Sequence, residues 1–176
     1  VENAEGEARE AFGRMVAFHG QMGMFVRALT YMLSHGADGL KQVAEDAVLN
    51  ANYVQARLNH IMTPAFDCYS MHEALFSDAF TADGIDTIDI AKALIDEGYH
   101  PMTMYFPLVV HGAMLIEPTE TESKQELDRF CDALADVAQR AAQGDDGLKG
   151  APYLAPKKRL DETRAARKPV LKWTPP

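Results

Sequence analysis

Histidines and cysteines are the residues of this sequence that could ligate a metal ion or act as nucleophiles. No two histidines have the three- or four-residue spacing that places two ligands on one helix face. His72 and Glu73 are neighbours on a predicted strand, where adjacent side chains point to opposite faces. Cys68 and Cys131 have no base nearby in sequence, and Cys131 lies beside an apolar helical stripe. We therefore predict no metal site, no disulfide framework and a buried, unreactive Cys131.

Two short strings could approach a ligand. In Phe18-His19-Gly20-Gln21, the glycine permits close approach of the backbone to a bound group. The segment Glu117-Pro118-Thr119-Glu120-Thr121-Glu122-Ser123 concentrates carboxylates. Each string also has an ordinary explanation: the first as a helix entry, the second as a strand exit followed by a helix cap with acids at the helix N-terminus.

The elements that must position these residues follow from the apolar periodicity. Phe25, Val26, Leu29, Met32 and Leu33 share one helical face, and Gly36 is placed to end that helix. The remaining predicted elements are a short helix within residues 4–17, a helix from Asp38 to Leu58, a strand over 66–77, a helix from Asp86 to Gly98, short strands near 104–106 and 114–117, and a last helix that starts near Thr121 or Ser123, with Ser123 and Glu126 as a capping box.

This order of elements predicts an α+β fold, in which helices pack on a small, mostly antiparallel sheet. It excludes a doubly wound nucleotide fold, because there are too few strands and no glycine-rich loop between a strand and a helix. We divide the chain into a helical segment over residues 1–60, an α+β domain over 61–145 and an irregular, basic, proline-containing tail over 146–176.

The charge distribution bears on the partners. The net charge is −9, yet Lys157–Lys172 contains seven cations and two acids, which leaves a net charge of −14 for residues 1–156. A body this acidic repels phosphate backbones, so we expect no nucleic-acid partner. The tail could be a nucleic-acid arm, but the prolines and tryptophan that follow its charges favour an acidic protein neighbour. No apolar run is long enough for a membrane helix, and the cysteine usage favours a reducing, cytoplasmic compartment.

Several strings together resemble one family. They are AVLNANYVQARL (47–58), SMHEALFS (70–77), TIDIAKALIDEGYHPMTMYFPLVV (87–110) and MLIEPTETESKQELDRF (114–130). They resemble the C-terminal part of glycine dehydrogenase (decarboxylating), the P-protein of the glycine cleavage system. The closing RLDETRAARKPVLKW (159–173) resembles its bacterial subunit 2 form, and the match runs from about Gly13 to Trp173.

The resemblance implies the C-terminal small domain of an enzyme of the aspartate-aminotransferase fold type that depends on pyridoxal 5′-phosphate (PLP). Such an enzyme decarboxylates glycine and passes the aminomethyl group to the lipoyl arm of the H-protein. In the family the cofactor lysine follows a histidine in an upstream large domain, and no His-Lys pair occurs in this sequence. We therefore expect no catalytic residue here, and activity only in a hetero-oligomer with subunit 1 and the lysine-bearing large domain.

The resemblance also implies two sets of contact residues. By position, His19, Gly20 and Gln21 lie near the PLP phosphate at a subunit boundary, although the family more often has asparagine where Gln21 stands. Arg164 and Arg167 are candidates for contact with a substrate carboxylate or with an acid of a partner.

Two other functions stay open at this point. The chain could be a stand-alone, non-catalytic assembly or regulatory module derived from the family, or a small-molecule binding domain unrelated to PLP. A stand-alone module predicts polar residues over the surface of the first helices, whereas a missing large domain predicts an apolar one. The stripe from Phe25 to Leu33 favours the enzyme.

Overall fold

The computed structural model describes residues 20–173 and 175. The chain divides into two units, Val1–Leu40 and Lys41–Pro176, and each is described by itself. The helix predicted within residues 4–17 lies outside the described residues. The domain boundaries that we place at residues 60 and 145 stay a prediction.

The first helix, α1, spans Met22–Leu58 and is interrupted at one residue. At Gly36 the backbone leaves helical geometry (φ 65°, ψ −173°) and enters a region that favours glycine. This break lies where the sequence predicts the end of a helix.

A four-stranded antiparallel sheet has the strand order β1-β2-β4-β3. Its strands are β1 (Thr63–Pro64), β2 (Ala74–Ser77), β3 (Thr103–Met104) and β4 (Met114–Ile116). In the central pair Ala74 lies opposite Ile116 and Phe76 opposite Met114, and all four side chains are buried on one face. The small antiparallel sheet agrees with the predicted α+β class.

The strand that we predict over residues 66–77 is wrong for residues 66–73. Side chains of α1 bond to the backbone of this segment instead. Asn52 bonds to both the N–H (3.0 Å) and the carbonyl (2.8 Å) of Ser70, and Gln55 donates to the carbonyl of Cys68 (2.9 Å). Because these side chains satisfy the backbone groups, the segment needs no neighbouring strand.

The two helices beside the sheet begin where the sequence predicts. Helix α2 spans Thr87–Asp96, with a capping box in which the Asp89 carboxylate accepts from the N–H of Asp86 (2.9 Å). Helix α3 spans Lys124–Ala142, and the hydroxyl of Ser123 accepts from the N–H of Glu126 (3.2 Å). The capping box of α2 is confirmed, and at α3 the structure confirms Ser123 as the cap, which is one half of the box predicted there.

The core lies between the buried face of the sheet, α2, α3 and the last turns of α1. Cys131 is part of it, and burial raises the pKa of its thiol to about 11. The thiol is therefore protonated at neutral pH, which confirms the buried and unreactive cysteine that we predict. The largest fully buried side chains of the second unit are Phe76, Leu58, Ile90, Leu94, Met114, Leu134, Leu148, Val54 and Val137.

The segment that we expect to be an irregular tail contains two short helical elements. A 3₁₀ turn covers Asp146–Gly150, and helix α4 covers Glu162–Arg167. Among the described residues, no helix is both long and apolar enough to cross a membrane.

Candidate functional site

The string predicted to bind the cofactor begins outside the described residues, because His19 lies there. Gly20 has φ 152°, and a Cβ at this position would lie 3.3 Å from the ring of Phe25. The carbonyl of Gln21 accepts from the N–H of Met24 (2.8 Å), so α1 begins directly after it. The helix entry is confirmed. The first N–H groups of a helix lack partners within it and suit a phosphate, but contact with the cofactor stays a prediction.

The two arginines predicted to contact a substrate or a partner lie on α4. Every residue of α4 is exposed, and the Asp161 carboxylate caps it by accepting from the N–H of Arg164 (2.9 Å). Within the part of the chain that the structure describes, neither guanidinium group makes a hydrogen bond or an ion pair. Both Arg164 and Arg167 can therefore reach an external carboxylate, and that contact stays a prediction.

PLP enzymes hold their cofactor on a lysine, so the lysines of this chain were compared with what that attachment requires. A lysine that attacks an aldehyde has to lose its proton, which a paired carboxylate opposes. The Nζ of Lys124 lies 2.7 Å from Asp128, and the Nζ of Lys149 lies 2.8 Å from Asp146; these hydrogen bonds raise both lysine pKa values. The remaining lysines, Lys41, Lys92, Lys157, Lys158, Lys168 and Lys172, are exposed or only half-buried. Neither Lys124 nor Lys149 is poised for this role, and the expectation that the cofactor lysine lies outside this chain stays a prediction.

Arg159 anchors the beginning of the tail to the body. Its Nη2 lies 2.6 Å from Oδ1 of Asp89, whose side chain is only 6% exposed. The same guanidinium donates to the carbonyls of Leu148 (3.0 Å) and Ala151 (2.8 Å). Sequence reasoning missed this anchor, because 70 residues separate the two charged groups.

The Asp96 carboxylate, at the C-terminal end of α2, binds the tail at a second point. Its carboxylate accepts from the N–H groups of Tyr153, Leu154 (2.7 Å) and Ala155 (3.3 Å). Desolvation, the largest single influence, raises the pKa of Asp96, but the three hydrogen bonds together outweigh it and lower the pKa. With the arginine anchor, this clamp fixes where the tail leaves the body.

A groove of about 420 Å³ lies between the end of β4, the start of α3 and the segment before β3. We call it the acidic groove. Its lining contains three glutamates and no lysine or arginine. The lining residues are Tyr99, His100, Pro101, Met102, Thr103, Leu115, Ile116, Glu117, Pro118, Glu122, Glu126, Leu127 and Phe130. Arg129, which is outside the lining, lies 3.4 Å from Glu126 and offsets part of that charge.

Apart from its acids, the acidic groove is lined largely by apolar residues. Met102, Ile116 and Leu127 are nearly buried, and Tyr99 and Phe130 are half-buried. The rings of Tyr99 and Phe130 meet edge to face, with centroids 5.4 Å apart and an interplanar angle of 76°. Burial raises the pKa of Tyr99, and the charge of Glu126 adds to the effect. An apolar lining beside carboxylates suits a ligand that carries both an apolar group and cations.

The string Glu117–Ser123 is the sequence signal for this groove. Its ordinary explanation is confirmed, since β4 ends at Ile116 and Ser123 caps α3. Sequence reasoning missed a second consequence, which is that the same string supplies Glu117 and Glu122 to the groove.

His72, Glu73 and Glu117 lie close together. The expectation that His72 and Glu73 diverge is wrong, because both precede β2 and strand alternation does not apply to them. The Nε2 of His72 lies 3.9 Å from Oε1 of each glutamate, and the three groups fall within 4.8 Å. Ligands around tetrahedral zinc are about 3.3 Å apart, so these side chains are wider than a formed zinc site. The predicted absence of a metal site stays a prediction.

The other face of the sheet carries a second, more apolar groove of about 350 Å³. Leu75 of β2 and Leu115 of β4 lie at its base, and both are half-buried. Its remaining lining residues include Phe66, Cys68, Tyr69, Phe106 and Pro107. Within the second unit, this face of the sheet has no helix packed on it comparable to α2 and α3.

Similarity to a solved structure defines the class of domain. The chain matches a crystal structure of the glycine decarboxylase (P-protein) of the glycine cleavage system in inhibitor-bound form, with a TM-score of 0.53 and 23% identity. The match covers 61% of this chain and 24% of that chain. The chain therefore has the α+β fold of a P-protein segment, as the resemblance implied.

Sequence comparison identifies the family. The family model described as "Glycine dehydrogenase, C-terminal domain" matches residues 43–152, and the chain belongs to this family. It is 68% identical over 172 residues to a probable glycine dehydrogenase (decarboxylating) subunit 2 from Caulobacter vibrioides, covering 96% of the chain and 33% of that protein. A protein of the same name from Exiguobacterium sibiricum is 47% identical, covering 94% of the chain and 34% of that protein. The chain thus spans about one third of these relatives.

Proposed function

We propose that this chain is the C-terminal portion of subunit 2 of a PLP-dependent glycine decarboxylase. It contributes to glycine decarboxylation and to aminomethyl transfer to the lipoyl arm of the H-protein, together with the lysine-bearing part. One observation carries the proposal: the chain is 68% identical to one third of a relative named glycine dehydrogenase (decarboxylating) subunit 2. The activity belongs to the completed enzyme.

The lysines indicate which part of the enzyme attaches the cofactor. PLP supplies the electron sink that decarboxylation of an amino acid needs. Because neither Lys124 nor Lys149 is poised as its point of attachment, we place the attachment in the upstream part of the polypeptide. Two sets of contacts are proposed for this chain itself. His19, Gly20 and Gln21 lie near the phosphate, and Arg164 and Arg167 bind a carboxylate of the substrate or of a partner.

The first turns of α1 support a missing large domain. Their apolar side chains are exposed, including Phe25 (59%) and Leu33 (74%). An exposed apolar face of this size is typical of a surface that another protein segment covers, whereas a stand-alone module would carry polar residues there. We assign this face to the upstream two thirds of the subunit. Its other exposed members are Met22, Met24, Val26, Leu29 and Met32.

The proposed partners are subunit 1 and the lipoyl H-protein, in a hetero-oligomer. The name "subunit 2" of the relatives implies a further subunit in those proteins. We place the assembly in the cytoplasm, which the free Cys68 and the buried free Cys131 support.

Reconstitution tests the proposal. The upstream part of subunit 2 and subunit 1 are produced separately, and release of labelled carbon dioxide from carboxyl-labelled glycine is measured with lipoylated H-protein. We expect release only after this chain is added. Borohydride reduction and mass spectrometry should then find the pyridoxyl-lysine in the upstream part.

Two results would contradict the proposal. One is a reduced pyridoxyl-lysine on any of the chain's own lysines, because the proposal places the attachment upstream. The other is full release of carbon dioxide without the chain. A Leu29→Asp/Leu33→Asp variant tests the assigned face against a Gln125→Asp/Gln139→Asp control, which adds the same two charges at exposed positions of another helix. Only the first variant should lose the ability to restore activity.

A further inference from the structure

Two uncovered surfaces of the second unit have complementary chemistry. One is the acidic groove. The other is the end of the tail, residues 163–173, which contains four cations and no acid and which we call the arm. The arm also carries exposed apolar side chains: Val170 is 89% exposed, Leu171 93% and Trp173 78%. A tryptophan this exposed usually marks a contact with another surface.

We infer that the acidic groove binds the arm of a second copy of this chain. This inference builds on the proposed function, because it assigns the carboxylate partner of Arg164 and Arg167 to a second copy of the chain. The contact uses no cofactor, substrate or subunit 1, so sedimentation can test it separately from the release of carbon dioxide. The contact concerns how two copies of subunit 2 associate.

The shapes and polarities of the two surfaces match. A groove of about 420 Å³, lined by apolar residues that include an edge-to-face aromatic pair, has room for an indole and an adjacent aliphatic side chain. Trp173 and Leu171 supply these groups, and they lie within three residues of each other. Aromatic anchors of this kind dominate the energy of protein contacts.

The charges match as well. Glu117 and Glu122 are exposed and Glu126 is half-buried at the groove, whose lining contains no lysine or arginine. From outside the lining, His72 lies 3.9 Å from Glu117 and Arg129 lies 3.4 Å from Glu126, which leaves the groove with a net negative charge. The arm brings Arg164, Arg167, Lys168 and Lys172, whose side chains make no ion pair within residues 20–173. Opposite potentials steer association and specify the partner, so contact with the acidic body of another copy is favoured.

The occupant is a second copy because the chain's own arm does not fill its own groove. Every lining residue of the groove falls within residues 99–130, and all residues of the arm are exposed. Arg159 and the Asp96 clamp tie the preceding residues to α2, which fixes where the arm begins. When two copies exchange arms, each groove holds the arm of the other copy. No groove or arm is left uncovered, and the assembly closes as a symmetric dimer.

Sedimentation velocity on the 176-residue chain tests the dimer. We expect a monomer–dimer equilibrium that weakens at high salt, since ion pairs at an exposed contact are screened. The arm variant Arg164→Gln/Arg167→Gln/Trp173→Ala and the groove variant Glu117→Gln/Glu122→Gln should each be monomeric at concentrations where the unaltered chain is dimeric. The control Asp83→Asn/Asp136→Asn removes the same charge as the groove variant but should dimerise normally.

Mixing the two defective variants gives the sharper result. The arm variant keeps an intact groove and the groove variant keeps an intact arm, so a mixed pair retains one of the two contacts. We expect the mixture to associate although neither variant does so alone. Association through the exposed face of α1 would be unaffected by either variant, and that outcome overturns the inference.

A labelled peptide of residues 157–173 provides a direct measurement. Fluorescence anisotropy should show it binding to the arm variant, whose groove is intact, and Trp173→Ala in the peptide should weaken binding roughly tenfold. The groove substitutions should weaken binding about fivefold at low salt. No binding, or equal binding to the groove variant and the control, overturns the inference; circular dichroism establishes that each variant is folded.

Discussion

Helix α3 and the first turns of α1 carry the same kind of apolar stripe in very different surroundings. In α3, Leu127 is 4% exposed and Leu134 and Val137 are fully buried. In α1, Leu29 is 52% exposed and Leu33 is 74% exposed. The sequence pattern is equally clear in both helices, so periodicity identifies a face that needs cover without identifying what covers it. The stripe of α3 is covered by the core that it shares with α2, the sheet and the last turns of α1. We assign the cover of the first turns of α1 to the upstream part of the subunit.

The largest expected effect comes from truncating one leucine on each stripe. Leu134→Ala should lower the free energy of unfolding by roughly 2–5 kcal/mol, because it removes buried methyl groups and leaves a cavity. Leu29→Ala should change it by no more than about 0.5 kcal/mol in the isolated chain. Urea denaturation followed by circular dichroism measures both values. Equal losses would show that the α1 face is already covered, and the comparison would fail.

The next largest effect is expected when a paired arginine of the tail, Arg159, is compared with an exposed one, Arg164. Arg159→Ala leaves the nearly buried Asp89 without its partner and should cost about 1–3 kcal/mol of stability. The cost is below that of a fully buried pair because the Arg159 side chain is 33% exposed. Arg164→Ala, on the exposed α4, should cost almost nothing. Limited trypsin digestion gives a second measurement: only the Arg159 variant should release the tail faster, and unchanged cleavage would contradict the anchor.

The start of α3 predicts a smaller effect. Ser123→Ala removes the side-chain acceptor for the N–H of Glu126 and should lower the free energy of unfolding by about 1 kcal/mol. Ser123→Asp keeps an acceptor and should retain the stability, which separates loss of the cap from loss of any other contact. A loss as large as that of Leu134→Ala would show that the cap, rather than the buried stripe, controls this helix.

The smallest effect concerns a charged pair at the surface. Nδ1 of His111 lies 2.8 Å from the Asp78 carboxylate, and this hydrogen bond raises the pKa of the imidazole above 6.5. The stabilisation it gives is complete below pH 6.5 and disappears as the pH rises through the raised pKa of the folded state. An NMR titration should find the His111 pKa falling toward its usual value in Asp78→Asn. No change would contradict the pairing.

Local signals predicted where the helices begin better than they predicted the bounds of the strands. The strand predicted at 114–117 is confirmed as β4 (Met114–Ile116), but the strand predicted over 66–77 is confirmed only for Ala74–Ser77. The starts of α2 and α3 followed from Asp86 and Ser123, because a capping residue acts on the next three positions of the chain. The first part of the strand predicted over 66–77 failed because it is held by Asn52 and Gln55 of α1. Such bonds depend on where the fold brings the two segments together, and no spacing within the segment reports them.

The candidate sites also depend on contacts between segments that are far apart in sequence, which local patterns do not report. The acids of residues 117–123 were visible as an unusual string. The aromatic pair that lines the same groove, Tyr99 and Phe130, lies outside that string, and no local pattern links the two. The pairing of Asp89 with Arg159 joins residues 70 positions apart. The activity and the partners could be predicted only from the family resemblance. When part of an active site lies outside the chain, the chain itself contains no complete catalytic motif.

The double anchor of the tail also sets how short a folded fragment can be. The family match ends at residue 152, whereas the residues that satisfy Asp96 and Asp89 extend to Ala155 and Arg159. A fragment cut at the family boundary would leave two carboxylates of α2 without these partners, one of them nearly buried. Expression fragments, fusion junctions and affinity tags should therefore be placed after Arg159, since the physical unit is longer than the aligned one.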